Sequence, residues 1–190
     1  MTSHYIDIHL RPDPEVAQHQ LMSSLYQRLH RVLVLMGGGG IGASFPAHDE
    51  RVPCLGSHLR LHGSLDAMHS LNSTDWLRGI QDHLQVGLPT AVPVGVAHRQ
   101  VHRVQAKSSV ERLRRRAMKR HGIDAAEAAQ RIPASAEARL ALPFVMLGSK
   151  STGQTSFPLF IQHGALLSSP VPGAFNCYAL GMGGASVPWF

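Results

Sequence analysis

Between His4 and Gly40 the hydrophobic pattern changes from a period of two to a helical period and then stops at four consecutive glycines, an order that few folds accommodate. In HYIDIHLRP, Ile6, Ile8 and Leu10 alternate with Tyr5, Asp7 and His9, as in a half-buried strand. Leu21, Leu25, Leu29, Val32, Leu33 and Met36 then recur at helical spacing until GGGG at 37–40 ends the helix. IGASF reads as a second strand and HLRLH, with Leu59 and Leu61, as a third. Ser64 can cap a helix running through Leu71, and STDWLRGIQDHL continues as a further helical turn or two with Trp76, Leu77, Ile80 and Leu84 inward. TAVPVGVAHRQVHRVQ supplies a fourth extended segment. The order β-α-β-β-α-β is that of the ferredoxin-like (RRM-like) fold, an α+β sandwich with helices on one face of an antiparallel sheet.

We therefore expect an α+β protein with a ferredoxin-like domain over 1–94 and a mixed α/β domain over 95–190. In the second, FVMLGS, LFIQHG and FNCYALG read as short strands, and Ile123 to Arg139 is alanine-rich and helical in part. A length of 190 residues allows one large or two small domains with a real core.

The second part opens on an unusual run of charge. From Arg99 to His121 there are nine lysines and arginines against the single acid Glu111. Ser108 and Glu111 have the spacing of a capping box, no glycine or proline interrupts the stretch that follows, and Gly122 sits where a left-handed cap ends a helix. The spacing predicts a helix over 109–121, roughly 20 Å long. Arg112, Arg115, Arg116, Lys119 and Arg120 fall within one arc of it, beside an apolar strip of Val110, Leu113 and Ala117. Most charged helix faces are simply solvated. Those faces usually mix signs, because like charges one turn apart repel, and this one does not. A polyanion partner accounts for the self-repulsion, and the net charge of +6 with a pI near 10 agrees.

Other chemistries are poorly supported. The glycine run leads from a helix into a strand, the reverse of a phosphate-binding loop. Cys54 and Cys177 form no CxxC, which argues against a zinc finger or disulfide framework and suits a reducing compartment. Thirteen histidines invite a metal, yet no HExxH occurs, and the close pairs His58 with His62 and His98 with His102 lack a carboxylate or thiolate neighbour in sequence. Neither a metal nor another cofactor is expected. The N-terminus is polar where a signal peptide needs an apolar block, and Val32 to Met36, the longest strongly apolar run, is too short to span a membrane. The expectation is a cytoplasmic protein with no membrane partner. His30 stands apart from the other histidines: it lies at the margin of the first helix's apolar stripe, beside Tyr26, where packing can hold it while it reaches solvent. Imidazole suits proton transfer, although such a position also fits a structural histidine.

RVQAKS followed by ERLRRR, then RIP, LPFV, STGQ, NCY and the terminal VPWF, together with HYIDIHLRPDPE, QLM and SFP near the start, resemble the type I-F CRISPR repeat-processing endoribonucleases, the Csy-type branch of the Cas-six family. The likeness spans nearly the whole chain. It implies a ferredoxin-like domain joined to a domain whose arginine-rich helix lies along the hairpin stem of CRISPR repeat RNA. It also implies metal-independent cleavage at the 3′ base of the stem by 2′-hydroxyl attack, after which the protein stays on the guide RNA hairpin as a subunit of the type I-F surveillance complex. By the same resemblance His30, Ser149 and Tyr178 are catalytic, Arg103 and Gln105 read bases, and Arg115, Arg116, Lys119 and Arg120 face phosphates; Arg112, in the same arc of the helix, is expected to join them. Lys107, Ser151 and Thr152 join the RNA contacts, and Phe157 stacks under the last base pair of the stem. Lys119 stands where the family pattern has arginine, and TSFPLF is one residue longer than its counterpart. A non-catalytic hairpin-binding subunit is the alternative; a DNA-binding protein has little support beyond net charge.

Overall fold

The computed structural model describes residues 2–105, 110–133, 140–148 and 156–190, with only the backbone of Glu111. They form an α+β structure with two antiparallel sheets and four α-helices among the described residues. The chain divides into two compact units, Met1–Val104 with Leu142–Phe190, and Gln105–Ala141. No helix among the described residues is long and apolar enough to cross a membrane.

In the larger unit, helix α1 (Gln18–Leu35) buries Leu21, Met22, Leu25, Tyr26, Leu29, Val32 and Leu33, the face that the helical spacing marks out. Its end is made by glycine. The Gly38 N–H bonds the Leu33 carbonyl at 2.8 Å, which the left-handed backbone of Gly37 (φ 82°) and Gly38 (φ 68°) allows. Beneath α1 lies the first sheet, built from β1 (His4–Leu10), β2 (Gly42–Ser44), β3 (His58–Gly63) and β4 (Leu84–Val86) in the order β2-β3-β1-β4, with the two-residue β5 (Thr90–Ala91) also pairing β1. Ile6, Ile8 and Leu10 of β1 are buried. Helix α2 (Leu65–Asn72) starts at Ser64, whose hydroxyl accepts from the Ala67 N–H at 3.1 Å.

Two local expectations for this part of the chain need correction. The fourth strand of this sheet is β4, whereas the second half of the TAVPVGVAHRQVHRVQ segment forms β6 (Ala97–Val104) in the second sheet and only its first two residues, β5, stay on β1. STDWLRGIQDHL forms turns and the 3-10 turn Gln81–His83, because Gly79 takes a left-handed conformation (φ 81°) that interrupts an α-helix. Trp76 and Leu77 nonetheless pack against the core, and Ile80 and Leu84 are buried.

The second sheet has the order β7-β8-β6-β9, with β7 (Phe144–Leu147), β8 (Phe157–Leu167) and β9 (Ser186–Trp189). FNCYALG is not a strand: it makes only isolated bridges from Phe175 to Gly39 and Gly181, around a turn in which Ala179 has φ 57°. Val101, Leu159, Ile161 and Val187 from this sheet join Leu29, Phe45 and Leu61 in one hydrophobic cluster.

Two histidines are buried among these apolar side chains. His62 bonds the Ser44 hydroxyl at 2.8 Å, and His163 stacks on His48 with ring centroids 3.7 Å apart. Burial, reinforced for each by nearby cationic groups, pushes both imidazoles down from 6.5 to about 3. Each is therefore neutral in the fold at pH values where the unfolded chain binds a proton. That contribution is complete above pH 6.5 and is lost as pH falls toward 3, at up to about 1.4 kcal/mol per pH unit for each ring. Denaturant midpoints should fall on acidification from neutral pH, and His163→Phe should flatten the dependence. A midpoint unchanged across that range would mean that both rings carry protons in the folded state.

The smaller unit packs α3 (Val110–His121) with α4 (Ala125–Arg131). Gly122, at φ 62°, closes α3 by bonding the Met118 carbonyl at 2.9 Å, and the Asp124 carboxylate caps α4 through the Glu127 N–H at 2.8 Å. Arg114 faces α4 and donates through Nε to the Ile132 carbonyl at 2.9 Å. Arg112, Arg115, Arg116, Lys119 and Arg120 are all exposed. Ser108, the proposed cap, lies outside the described residues.

Candidate active site

Helix α1 organises the candidate site through two pairs of side chains, each one turn apart. Tyr26 and His30 reach adjacent carbonyls of one turn: the Tyr26 hydroxyl donates to the Tyr178 carbonyl at 2.6 Å, and His30 Nδ1 lies 2.9 Å from the Cys177 carbonyl. A carbonyl can only accept, so Nδ1 carries the hydrogen and Nε2 of the neutral ring keeps its lone pair. Burial raises the Tyr26 hydroxyl far above the ordinary phenol range and keeps it a donor. The His30 and Tyr178 rings stack with centroids 4.1 Å apart and planes 15° from parallel.

The turn that carries Tyr178 is held by its own sequence. The Asn176 side-chain carbonyl accepts from the N–H groups of Tyr178 (2.8 Å) and Leu180 (3.2 Å), as an Asx turn does. Ala179 occupies the left-handed region at φ 57°, while its carbonyl accepts from the Ala43 N–H at 2.8 Å. Ser23 and Gln27, the second pair on α1, accept from Met146 N–H at 3.0 Å and Gly148 N–H at 2.7 Å. Gly148 thus lies against the same helix. Ser149, which follows it, lies outside the described residues, as do Lys107, Ser151 and Thr152.

Arg103, near the end of β6, places its guanidinium carbon 5.6 Å from the Tyr178 ring centre, a cation–π arrangement. Its Nε is buried without a hydrogen-bond partner among the described residues. Phe157 opens β8 and packs partly buried against the core. The larger unit therefore brings together His30, Tyr178 and Arg103. Gln105, exposed, and the five cations of α3 belong to the smaller unit.

Spacing in the sequence does not reveal Ser23, Tyr26, Gln27 or Asn176 as supports of the site. Their signal is weak: a serine and a glutamine one turn apart beside an apolar stripe, a tyrosine within that stripe, and an asparagine in a turn. Histidines also meet carboxylates across long separations, in Asp7–His9–His58 and His48–Glu50–His163. In both, an arginine already pairs the carboxylate: Arg60 to Asp7 at 2.6 Å, and Arg99 to Glu50 at 3.2 Å. Although burial alone would raise it, hydrogen bonds from His58 and Arg60 hold the Asp7 carboxyl well below the usual range.

Fold and site together define a basic α+β protein with two antiparallel sheets, a histidine–tyrosine site beside an arginine, and an arginine-rich helix. The model of the family described as CRISPR-associated protein (Cas_Csy4) matches residues 5–190, and the chain belongs to that family. It is 53% identical over 187 residues to the CRISPR-associated endonuclease Cas6/Csy4 of Pseudomonas aeruginosa (strain UCBPP-PA14), covering 98% of this chain and 99% of the relative. To the protein of the same name from Escherichia coli (strain UTI89 / UPEC) it is 43% identical over the same span.

Proposed function

We propose that the protein is an endoribonuclease that binds the stem-loop of CRISPR repeat RNA and cuts at the 3′ base of the stem. One observation carries the chemistry: His30 donates from Nδ1 to the Cys177 carbonyl and is thereby left with a basic Nε2, held by its stack on Tyr178. Nε2 takes the proton of the ribose 2′-hydroxyl, the 2′-oxygen attacks the adjacent phosphorus, and the bond to the 5′-oxygen breaks as that oxygen gains a proton. The products are a 2′,3′-cyclic phosphate and a 5′-hydroxyl. The nucleophile is part of the substrate, so alignment and one base suffice and the step requires no metal.

In this reading residues 1–94 supply the platform from which α1 presents His30, and residues 95–190 carry most RNA contacts. Ser149 and Tyr178 hold the ribose. Phe157 stacks under the last base pair, and Lys107, Ser151 and Thr152 contact the backbone. Arg103 and Gln105 read base edges near the stem end, while Arg112, Arg115, Arg116, Lys119 and Arg120 meet phosphates. The protein then remains on the guide RNA hairpin as a subunit of the type I-F surveillance complex in the cytoplasm. Family membership supports this reading. Incubation with the repeat RNA of its own genome in excess EDTA should give cleavage at one phosphate; binding without cleavage would leave only a hairpin-binding subunit.

Arg103→Ala should cost about 1–3 kcal/mol in affinity and relax preference at a single guanine, because a bidentate contact to its major-groove edge would be lost. Competition among hairpins with each base at that position measures this. Equal weakening for all four would make Arg103 a phosphate contact.

A further inference from the structure

The side of helix α1 turned away from His30 is left uncovered by the fold. Arg28, Arg31, Val32 and Leu35 recur there at helical spacing and, with Met36 just past the helix and Trp76 opposite, line a groove of about 510 Å³. At about 100° per residue, His30 lies roughly 150° around α1 from the middle of that stripe. The groove exists because α2 ends at Asn72 and the left-handed backbone of Gly79 (φ 81°) interrupts any further helix, so that a turn at 74–76 flanks α1. Its apolar lining stays in water: Leu35 is 86% exposed and Met36 37%, although Trp76 packs partly buried against the core.

One edge of the groove is cationic. Arg28 donates to the neutral Ser24 hydroxyl at 3.3 Å, and Arg31 makes no hydrogen bond or ion pair among the described residues. Asp75, the acid in the lining, already pairs with Arg78 at 3.9 Å. An apolar floor beside two arginines that lack a carboxylate matches an apolar surface edged with acids. Nucleic acid is a poor match, since the lining offers phosphates two guanidinium groups and otherwise mainly apolar side chains. A second copy of this chain is a poor match as well, because a symmetric contact would set Arg28 and Arg31 against their own copies. The walls are a helix and a turn, with no strand edge for an incoming chain to pair, which leaves the helix-in-groove mode of recognition.

We propose that this groove docks a neighbouring protein subunit through an amphipathic helix, whose apolar side chains seat on Leu35, Met36 and Trp76 and whose aspartates or glutamates meet Arg28 and Arg31. A partner seated there leaves His30 and Tyr178 open, so that cleavage and assembly use different sides of one helix. The inference rests on the reading of the protein as a subunit of the type I-F surveillance complex and adds to it the surface and the chemistry of the contact.

The probe is the set of remaining subunits of that complex from the same genome, assembled on guide RNA either with or without the 3′ hairpin. Binding of the full-length protein to each assembly is measured by biolayer interferometry, with hairpin affinity and cleavage measured in parallel. The wild type should join both assemblies, because the groove contact does not need the hairpin. On the assembly without it, Leu35→Glu should weaken binding at least about tenfold, as loss of a leucine from the centre of an interface does. Leu35→Met, which keeps the volume and the apolar character, should stay within about twofold. Arg28→Glu/Arg31→Glu should weaken binding about as much as Leu35→Glu and remove the salt dependence of the wild type. Hairpin affinity and cleavage should be unchanged in every variant, and Leu35 and Arg31 are exposed, so the core is left intact. Wild-type binding only where the hairpin is present, or binding that the variants leave unaltered, would overturn the groove contact while the subunit reading stands. Failure of the wild type to join either assembly would overturn both. Loss of hairpin affinity in the arginine variant, or a dimer of the wild type that Leu35→Glu dissolves, would overturn the proposal in favour of RNA or of a second copy.

Discussion

His30→Ala should slow single-turnover cleavage of the repeat hairpin by about 10²–10⁴-fold, the range of a lost general base, while hairpin affinity stays within a few-fold. The two quantities separate because they depend on different parts of the chain. The imidazole is a single side chain, aimed by the Cys177 carbonyl at 2.9 Å and by the stack on Tyr178. Affinity, in contrast, comes mainly from cations meeting phosphates. Rate and affinity measured on the same preparation, with an uncleavable 2′-deoxy hairpin for the affinity, make the comparison direct. Full cleavage by the variant at neutral pH would remove His30 from the mechanism. A parallel loss of binding would mean that the histidine holds the turn rather than the proton, and Tyr26→Phe, which removes only the hydrogen bond to the Tyr178 carbonyl, would then weaken binding in the same way.

The second large effect is expected from salt. If Arg112, Arg115, Arg116, Lys119 and Arg120 each neutralise a phosphate, log affinity should fall linearly with log salt at a slope of roughly four, so that raising salt from about 50 to 200 mM weakens binding by a few hundred-fold. Arg115→Ala and Arg116→Ala should each lower the slope by somewhat under one unit. Arg114 is the internal control, since its guanidinium is turned to α4 and bonds the Ile132 carbonyl at 2.9 Å. Arg114→Ala should leave the slope nearly unchanged. Its cost should appear as a small loss of stability instead, of the ~0.5–1.5 kcal/mol that one hydrogen bond contributes. Anisotropy titrations at several salt concentrations, with a melting curve for each variant, resolve the two effects. Identical slopes for the Arg114 and Arg115 variants would mean that the charge acts as a diffuse field, and a helix lying against the phosphates would be abandoned.

Wherever a feature depends on residues close together in the chain, the sequence by itself determined it. The alternation through Ile6, Ile8 and Leu10 marks β1, the apolar stripe from Leu21 marks α1, the glycines after Met36 stop that helix, and Ser64 and Gly122 cap two others. Each is a period or a cap set by local backbone geometry, so composition and spacing suffice. The basic helix and its exposed arc were legible for the same reason. Short edge strands were not: Leu84–Val86 has three residues and no readable period, and only its pairing with β1 makes it the fourth strand. The FNCYAL turn was hidden too, because alanine seldom adopts the left-handed backbone that Ala179 shows. Only the tertiary structure decided the site itself. His30 and Cys177 are 147 residues apart and Tyr26 and Tyr178 are 152 apart, so no local pattern specifies which carbonyl each side chain meets. Those contacts follow from packing α1 against the sheets, where burying the apolar stripe leaves its margin residues facing one tight turn. The same packing supplies the hydrogen bonds that orient the histidine and its tyrosine.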